Sequence, residues 1–289
     1  GIVAVSDDGH SVMNSEVMRR ALEYAGMLDL PVISHCEDLN LSRGRVMHEA
    51  LVSTQLGLMG APAAAEEVMV ARDLALAELT GSRLHIAHVS CAGSVRLIRQ
   101  AKERGVQVTA EVTPHHFTLT DEAVRGFDTR TKVNPPLRSA EDVKAILEGL
   151  QDDTIDTIAT DHAPHNLADK DLEYTLAAFG IVGLETALGL ALERLYHGGI
   201  LTLPQLLAKM TVQPARALGL DRTILTPNQE ADLVIIDPER LWQVDVKAFR
   251  SKGRSSPFHG WRLRGQAITT IVGGKIVMSQ LEHINESEG

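Results

Sequence analysis

The chain has 289 residues, with 28 Lys plus Arg against 38 Asp plus Glu, a formal charge of −10 and a pI near 5.6. Hydrophobic residues make up 44% and charged residues 23%, the balance of a globular protein with one large core, with or without an appendage. The acidic balance argues against a nucleic-acid partner, glycines and Glu185 interrupt the most apolar stretch (176–192) before it could span a membrane, and two cysteines, Cys36 and Cys91, point to the reducing cytoplasm.

The chain opens on Gly-Ile-Val-Ala-Val-Ser with no initiator Met, as though inside a buried strand, which predicts a fragment or deletion product of something longer. From there, strand-like and helix-like segments alternate. Ile2–Ser6 ends in Asp-Asp-Gly and precedes a helix over about Ser15–Leu28. Pro31–Ser34 ends at His35 and precedes a helix over about Ala63–Leu79. Leu84–Ala87 ends at His88 before a helix over Ser94–Arg104. Val106–Val112 precedes a helix over Glu141–Leu150, and Ile155–Ala159 runs into Thr-Asp-His. Five short apolar strands separated by helices predict a covered parallel sheet, and ligands gather at the C-terminal ends of such strands. A closed barrel of this kind takes about eight strands, so the pattern predicts one short by about three. Helical stretches over Leu184–Tyr196, Pro204–Met210 and Gln213–Leu218 follow. Short strands over Ala231–Ile236, Trp242–Val246, Trp261–Leu263 and Ala267–Val277 come last, with Gly273-Gly274 as a two-residue hairpin turn. The expected division is residues 1–220 as the α/β barrel part and 221–289 as a β-rich unit. The acidic tail at Glu286–Glu288 is expected to fray.

Several polar residues fall where these strands end. His35 and His88 follow successive apolar strands, and a neutral imidazole there suits a first-row metal ion. His85, three residues before His88, faces the other way and reads as structural. Asp161 ends an apolar run where solubility does not explain a carboxylate. It reads as a metal ligand and proton carrier, or as a helix N-cap or loop aspartate. Of Asp7 and Asp8, side-chain alternation turns one toward the centre, where a carboxylate can bridge two cations; otherwise the pair is a turn. Asn134, in a stiff double-proline loop, can donate and accept toward an amide edge, or serve only as loop. His165 is a substrate contact or a loop residue, and Phe179-Gly180 could offer backbone groups to a ligand. His115 and His116 read as structural or supporting residues, and Cys36 and Cys91 as small packing residues.

Together these segments resemble the long bacterial type of dihydroorotase, within the amidohydrolase superfamily. The resemblance is carried by Ser-Asp-Asp-Gly at 6–9, His-Cys-Glu-Asp at 35–38 and His-Ile-Ala-His-Val-Ser at 85–90. It continues through Lys-Val-Asn-Pro-Pro-Leu-Arg at 132–138, Ala-Thr-Asp-His-Ala-Pro-His at 159–165, Gly-Ile-Val-Gly-Leu-Glu-Thr at 180–186, Ser-Pro-Phe-His-Gly at 256–260 and the hairpin at 272–275. It implies a TIM-like (β/α)₈ barrel, here N-terminally truncated, with a small flanking β-sandwich portion and two Zn²⁺ per subunit in the complete enzyme. Asp8 would bridge the zincs, His35 and His88 would bind the second, and Asp161 would bind the first and carry the proton. Asn134, His165, Phe179 and Gly180 would contact substrate. The implied reaction is reversible hydrolysis of dihydroorotate to N-carbamoyl-L-aspartate, on the way to UMP. The resemblance also implies a homo-oligomer, with an aspartate transcarbamoylase complex as one arrangement. The family's His-x-His-x-Arg segment is absent, so these 289 residues alone are expected to be inactive or poorly folded. The rivals are a hydantoinase- or allantoinase-like cyclic amidase and a non-catalytic subunit that scaffolds the transcarbamoylase. A modified lysine expected in place of Asp8 counts against the first, and the retained ligand residues against the second.

Overall fold

A computed structural model describes residues 1–220, 227 and 230–281. The expected boundary at 221 and the tail at Glu286–Glu288 lie outside the described residues. The framework is a five-stranded, all-parallel sheet built from β1 (Val5–Ser6), β2 (Val32–Ser34), β5 (Leu84–Ile86), β6 (Val108–Val112) and β7 (Thr157–Ile158), in that spatial order. A parallel bridge from His162 to Ile181 carries the pairing one step further. Helices α1 (Ser15–Gly26), α4 (Ala64–Thr80), α5 (Ala92–Glu103) and α6 (Ala140–Gln151) connect the strands and pack side by side in chain order. Local chemistry sets their ends. The Asn14 side chain accepts from the amides of Glu16 and Val17 to start α1, Ser139 and Asp142 form a reciprocal capping box at α6, and Gly81 ends α4 at φ +65°. Met18, Leu22, Val70, Leu74, Ile98, Ile146 and Leu150 fill the layer between these helices and the sheet, against Ile86, Ala110 and Val112.

Between β2 and α4 lies a segment that the apolar pattern does not reveal: α2 (Leu39–Ser42), β3 (Met47–His48), α3 (Leu51–Leu56) and β4 (Gly60–Ala61), with β3 and β4 pairing in parallel. After β7 come α7 (Leu167–Lys170), α8 (Leu184–Ala191), a π-helical turn at Leu192–Tyr196, α9 (Leu203–Met210) and α10 (Val212–Ala217). Strands β8 (Leu233–Gln243), β9 (Arg262–Val272) and β10 (Lys275–Ser279) then form an antiparallel sheet. Its inner face meets α8 at Gly189, where a Cβ would lie 2.7 Å from the Trp242 ring.

Three expectations need correction. Trp261–Leu263 and Ala267–Val277 do not begin separate strands, because Arg262–Val272 run through as the single strand β9. The opening segment is not a buried strand: only Val5–Ser6 pair, and Ile2, Val3 and Val5 are exposed, because among the described residues β1 has a neighbour on one side only. Ala231–Ile236 and Trp242–Val246 are not two strands. They contribute to the single strand β8, whose register shifts between Asp237 and Leu241, the stretch holding Pro238, which has no amide hydrogen for a ladder. The Gly273-Gly274 hairpin forms as expected, with both glycines at positive φ and Lys275 opposite Val272.

Candidate metal centre and adjoining cavity

Three neighbouring strands, β1, β2 and β5, deliver one donor each at their C-terminal ends. Asp7 and Asp8 divide their roles as alternation requires. Asp7 turns inward to the scaffold, accepting from the Val12 amide at 2.8 Å and the His35 amide at 2.8 Å. Asp8 faces His35 and His88. His35 Nδ1 and His88 Nε2 lie 2.8 Å apart, and each is 3.6 Å from Asp8 Oδ1. Both rings are buried, whereas Asp8 is open to solvent. Among the described residues these three side chains are the group whose ligand atoms lie close enough together to hold a metal ion. Two atoms bonded to one zinc ion at about 2.0–2.1 Å stand roughly 3.3 Å apart at a tetrahedral angle, which falls within the observed spacings.

The electrostatics call for a cation at this point. Two imidazole nitrogens facing each other beside a carboxylate cannot both present lone pairs unless a positive charge stands among them. Without a metal ion, a proton takes that place. Burial opposes a charged His88, but the Asp8 carboxylate 3.6 Å away and the charges of Asp161 and Glu111 outweigh burial and raise its pKa to about 9. The same attraction to His88, working against burial, lowers the pKa of Asp8. His88 also adopts φ +33°, a backbone state that a non-glycine residue holds only when its surroundings impose it. The donor set, two imidazoles and a carboxylate, suits a divalent first-row ion.

Asp161 follows β7 and is not one of the three converging donors. It too is held at positive φ, +45°. Its pKa is raised by burial, with Asp8 and Glu111 adding to the shift and His88 opposing it, so its carboxyl feels the charges of this site. His85 is structural, as expected: it bonds Thr109 Oγ1 at 2.8 Å and Glu111 Oε2 at 3.1 Å on β6. His115 and His116 are fully buried, and burial drives both pKa values down.

Beside the three donors is a cavity of about 200 Å³ lined by Glu37, Arg43, Arg45, Met47, Asn134 and Phe179, among others. Asn134 reaches it from the double-proline loop, whose Val133 and Leu137 are buried against Phe258 of the Ser-Pro-Phe-His-Gly segment. Phe179 stands over Lys132, with the ammonium 4.6 Å from the ring centre. His165 and Gly180 are neighbours: a Cβ on Gly180, at φ +117°, would come within 3.1 Å of His165 Nε2 and 2.6 Å of Ala163 Cβ, so this position requires glycine. The Gly180 backbone is already engaged, its amide donating to the Lys132 carbonyl at 2.9 Å and its carbonyl accepting from Lys170 Nζ at 3.0 Å. The Phe179 backbone has no hydrogen-bond partner among the described residues.

Sequence reasoning missed Glu37 and Glu111. Glu37 bonds both His35 and Asn134. Glu111 supports His85 and the His88 amide from inside a covered strand, and an acid within an apolar run was a signal that could have found it. The Arg43 and Arg45 wall lies in the short elements after β2, which carry no periodicity to mark them.

Comparison with known proteins places this geometry in context. The amidohydrolase family matches residues 3–277. A protein of Pelotomaculum thermopropionicum named dihydroorotase is 66% identical over 278 residues, covering 96% of this chain and 65% of its own length. One of Syntrophus aciditrophicus with the same name is 58% identical, covering 97% and 66%. The chain thus spans slightly less than two thirds of these relatives. An L-hydantoinase (dihydropyrimidinase) from Arthrobacter aurescens superposes with a TM-score of 0.85 at 28% identity, over 97% of this chain and 64% of that one. The parallel sheet and its connecting helices accordingly follow the TIM-barrel plan of such hydrolases. Because the family match runs from before the first strand into the last, far more than half the chain, this chain belongs to the amidohydrolase family.

Proposed function

We propose that this chain carries the metal-binding face of a dihydroorotase, which reversibly hydrolyses the cyclic amide of dihydroorotate to N-carbamoyl-L-aspartate in cytoplasmic pyrimidine synthesis. The observation that carries this reading is the convergence of Asp8 Oδ1, His35 Nδ1 and His88 Nε2 within 3.6 Å of one another, beside a cavity edged by Asn134 and Phe179. The relatives named dihydroorotase, at 66% and 58% identity, give the substrate class its support.

In this reading Asp8, His35 and His88 would hold zinc, and Asp8 and Asp161 would serve a second ion. A divalent ion so held supplies Lewis acidity toward the ring carbonyl and toward water. The chain's own residues do the rest. Asp161, with its pKa raised by burial, takes a proton from the attacking water and returns it to the departing ring nitrogen. Asn134 offers its amide to the imide edge, while His165 and the free Phe179 backbone orient the ring. Residues 221–289 are a β-rich unit flanking the barrel part, 1–220. The protein is a homo-oligomer, and an aspartate transcarbamoylase is the partner to look for.

A hydantoinase reading draws on the structural likeness, but at 28% identity it is far more distant than the dihydroorotase names. The test begins with the coding sequence upstream of Gly1, read for His-x-His-x-Arg. The encoded protein, loaded with zinc, is then assayed on dihydroorotate, hydantoin and allantoin. Preference for dihydroorotate with about two zincs per chain supports the proposal. Preference for hydantoin or allantoin overturns it in favour of the rival amidase, and absence of both zinc and turnover leaves the scaffold reading in its place.

A further inference from the structure

Glu37 lies two residues beyond a metal-type histidine and across from the loop that carries Asn134. One of its oxygens, Oε2, is 3.0 Å from His35 Nε2 and 2.9 Å from Asn134 Nδ2. An ionised carboxylate only accepts hydrogen bonds, so the Asn134 amide must donate to it and His35 must carry its proton on Nε2. That tautomer leaves the Nδ1 lone pair pointing at Asp8 and His88, the orientation a metal ligand needs. The same bond turns the Asn134 amide so that its Nδ2 faces the protein and its carbonyl oxygen has no partner among the described residues.

We infer that Glu37 is a positioning residue that, through a single carboxylate oxygen, sets the His35 tautomer for metal binding and the Asn134 amide for substrate contact. The inference rests on the metal-centre reading above. A carboxylate behind a ligating histidine is a recurrent device, and its loss typically weakens metal binding about 10–100-fold. Here the same atom also reaches across 97 residues of sequence to the cavity wall. The metal shell and the substrate loop therefore share one reference point.

The test compares wild type, Glu37→Ala and Glu37→Gln in the protein encoded by the complete coding sequence, each checked for native circular dichroism. Zinc affinity is measured by competition with a chromophoric chelator, and the His35 ring and Asn134 side-chain amide are read by ¹⁵N NMR in metal-free protein. Glu37→Ala is expected to bind zinc about 10–100-fold more weakly, to mix the two His35 tautomers and to lose the distinct, slowly exchanging Asn134 amide proton. Glu37→Gln, whose amide oxygen can still accept, should keep the Nε2–H tautomer and recover most of the affinity. Unchanged zinc affinity and an unchanged tautomer in Glu37→Ala would overturn the inference. If wild type binds no zinc, the metal-centre reading fails, while the metal-free NMR comparison still decides whether Glu37 sets His35 and Asn134.

Discussion

His88 combines three burdens: a buried ring, a backbone in the left-handed region and a pKa lifted to about 9 by the acids around it. Such a residue persists because its neighbours hold it there, and among those neighbours only a cation relieves the crowding of donors. His88→Ala is therefore expected to weaken zinc binding by more than the 10–100-fold typical of an outer partner; equal affinity in a chelator competition would show that the ion sits elsewhere. Lys170 offers a different residue-scale test. Its Nζ donates to the carbonyls of Ala178 and Gly180, and burial, aided by the nearby charge of Lys132, lowers its pKa from 10.5 to about 8. Between those two values the unfolded chain binds more protons than the folded one, so this group makes stability rise with pH from about 8 toward 10.5. Urea unfolding across that range should show the rise in wild type and lose that component in Lys170→Met.

Among the elements, the loop at 132–138 shows how packing serves chemistry. Its outward residue is Asn134, while Val133 and Leu137 rest on Phe258, which is 1% exposed. Phe258→Ala should cost about 3–5 kcal/mol of stability, measurable by urea denaturation, and a loss well under 1 kcal/mol would mean that the loop is held by other contacts. How far the sequence could be read also divides by element. The parallel strands were legible, because a covered strand is a short apolar run and the donors His35 and His88 stand where those runs stop. Alternation turns one of Asp7 and Asp8 toward the centre, but only the family resemblance singles out Asp8. Glu37 and the Arg43–Arg45 wall were not legible. Strands of two residues, such as Met47–His48, have no period to detect, and the value of Glu37 lies in a bond to Asn134 that only the tertiary fold creates. The β8 misreading has a similar cause: Pro238 looks like a strand break, but the ladder skips over it by a shift in register.

For the molecule as a whole, the donors on β1, β2 and β5 mean that an ion bound there ties three strand ends together, and β1 has few other ties among the described residues. The opposite side depends on an absence of side chain. Gly189 leaves a notch in α8, and the Trp242 indole occupies it while its Nε1 donates to the Gly265 carbonyl at 2.9 Å. The notch works as a keyway: with the indole seated, the antiparallel strands can neither slide along the helix nor peel away without unseating a large ring. Heat should therefore melt both parts in one cooperative step. Gly189→Val, which fills the keyway, should split the calorimetric trace into two, and a single unsplit peak in that variant would mean that the parts are joined elsewhere.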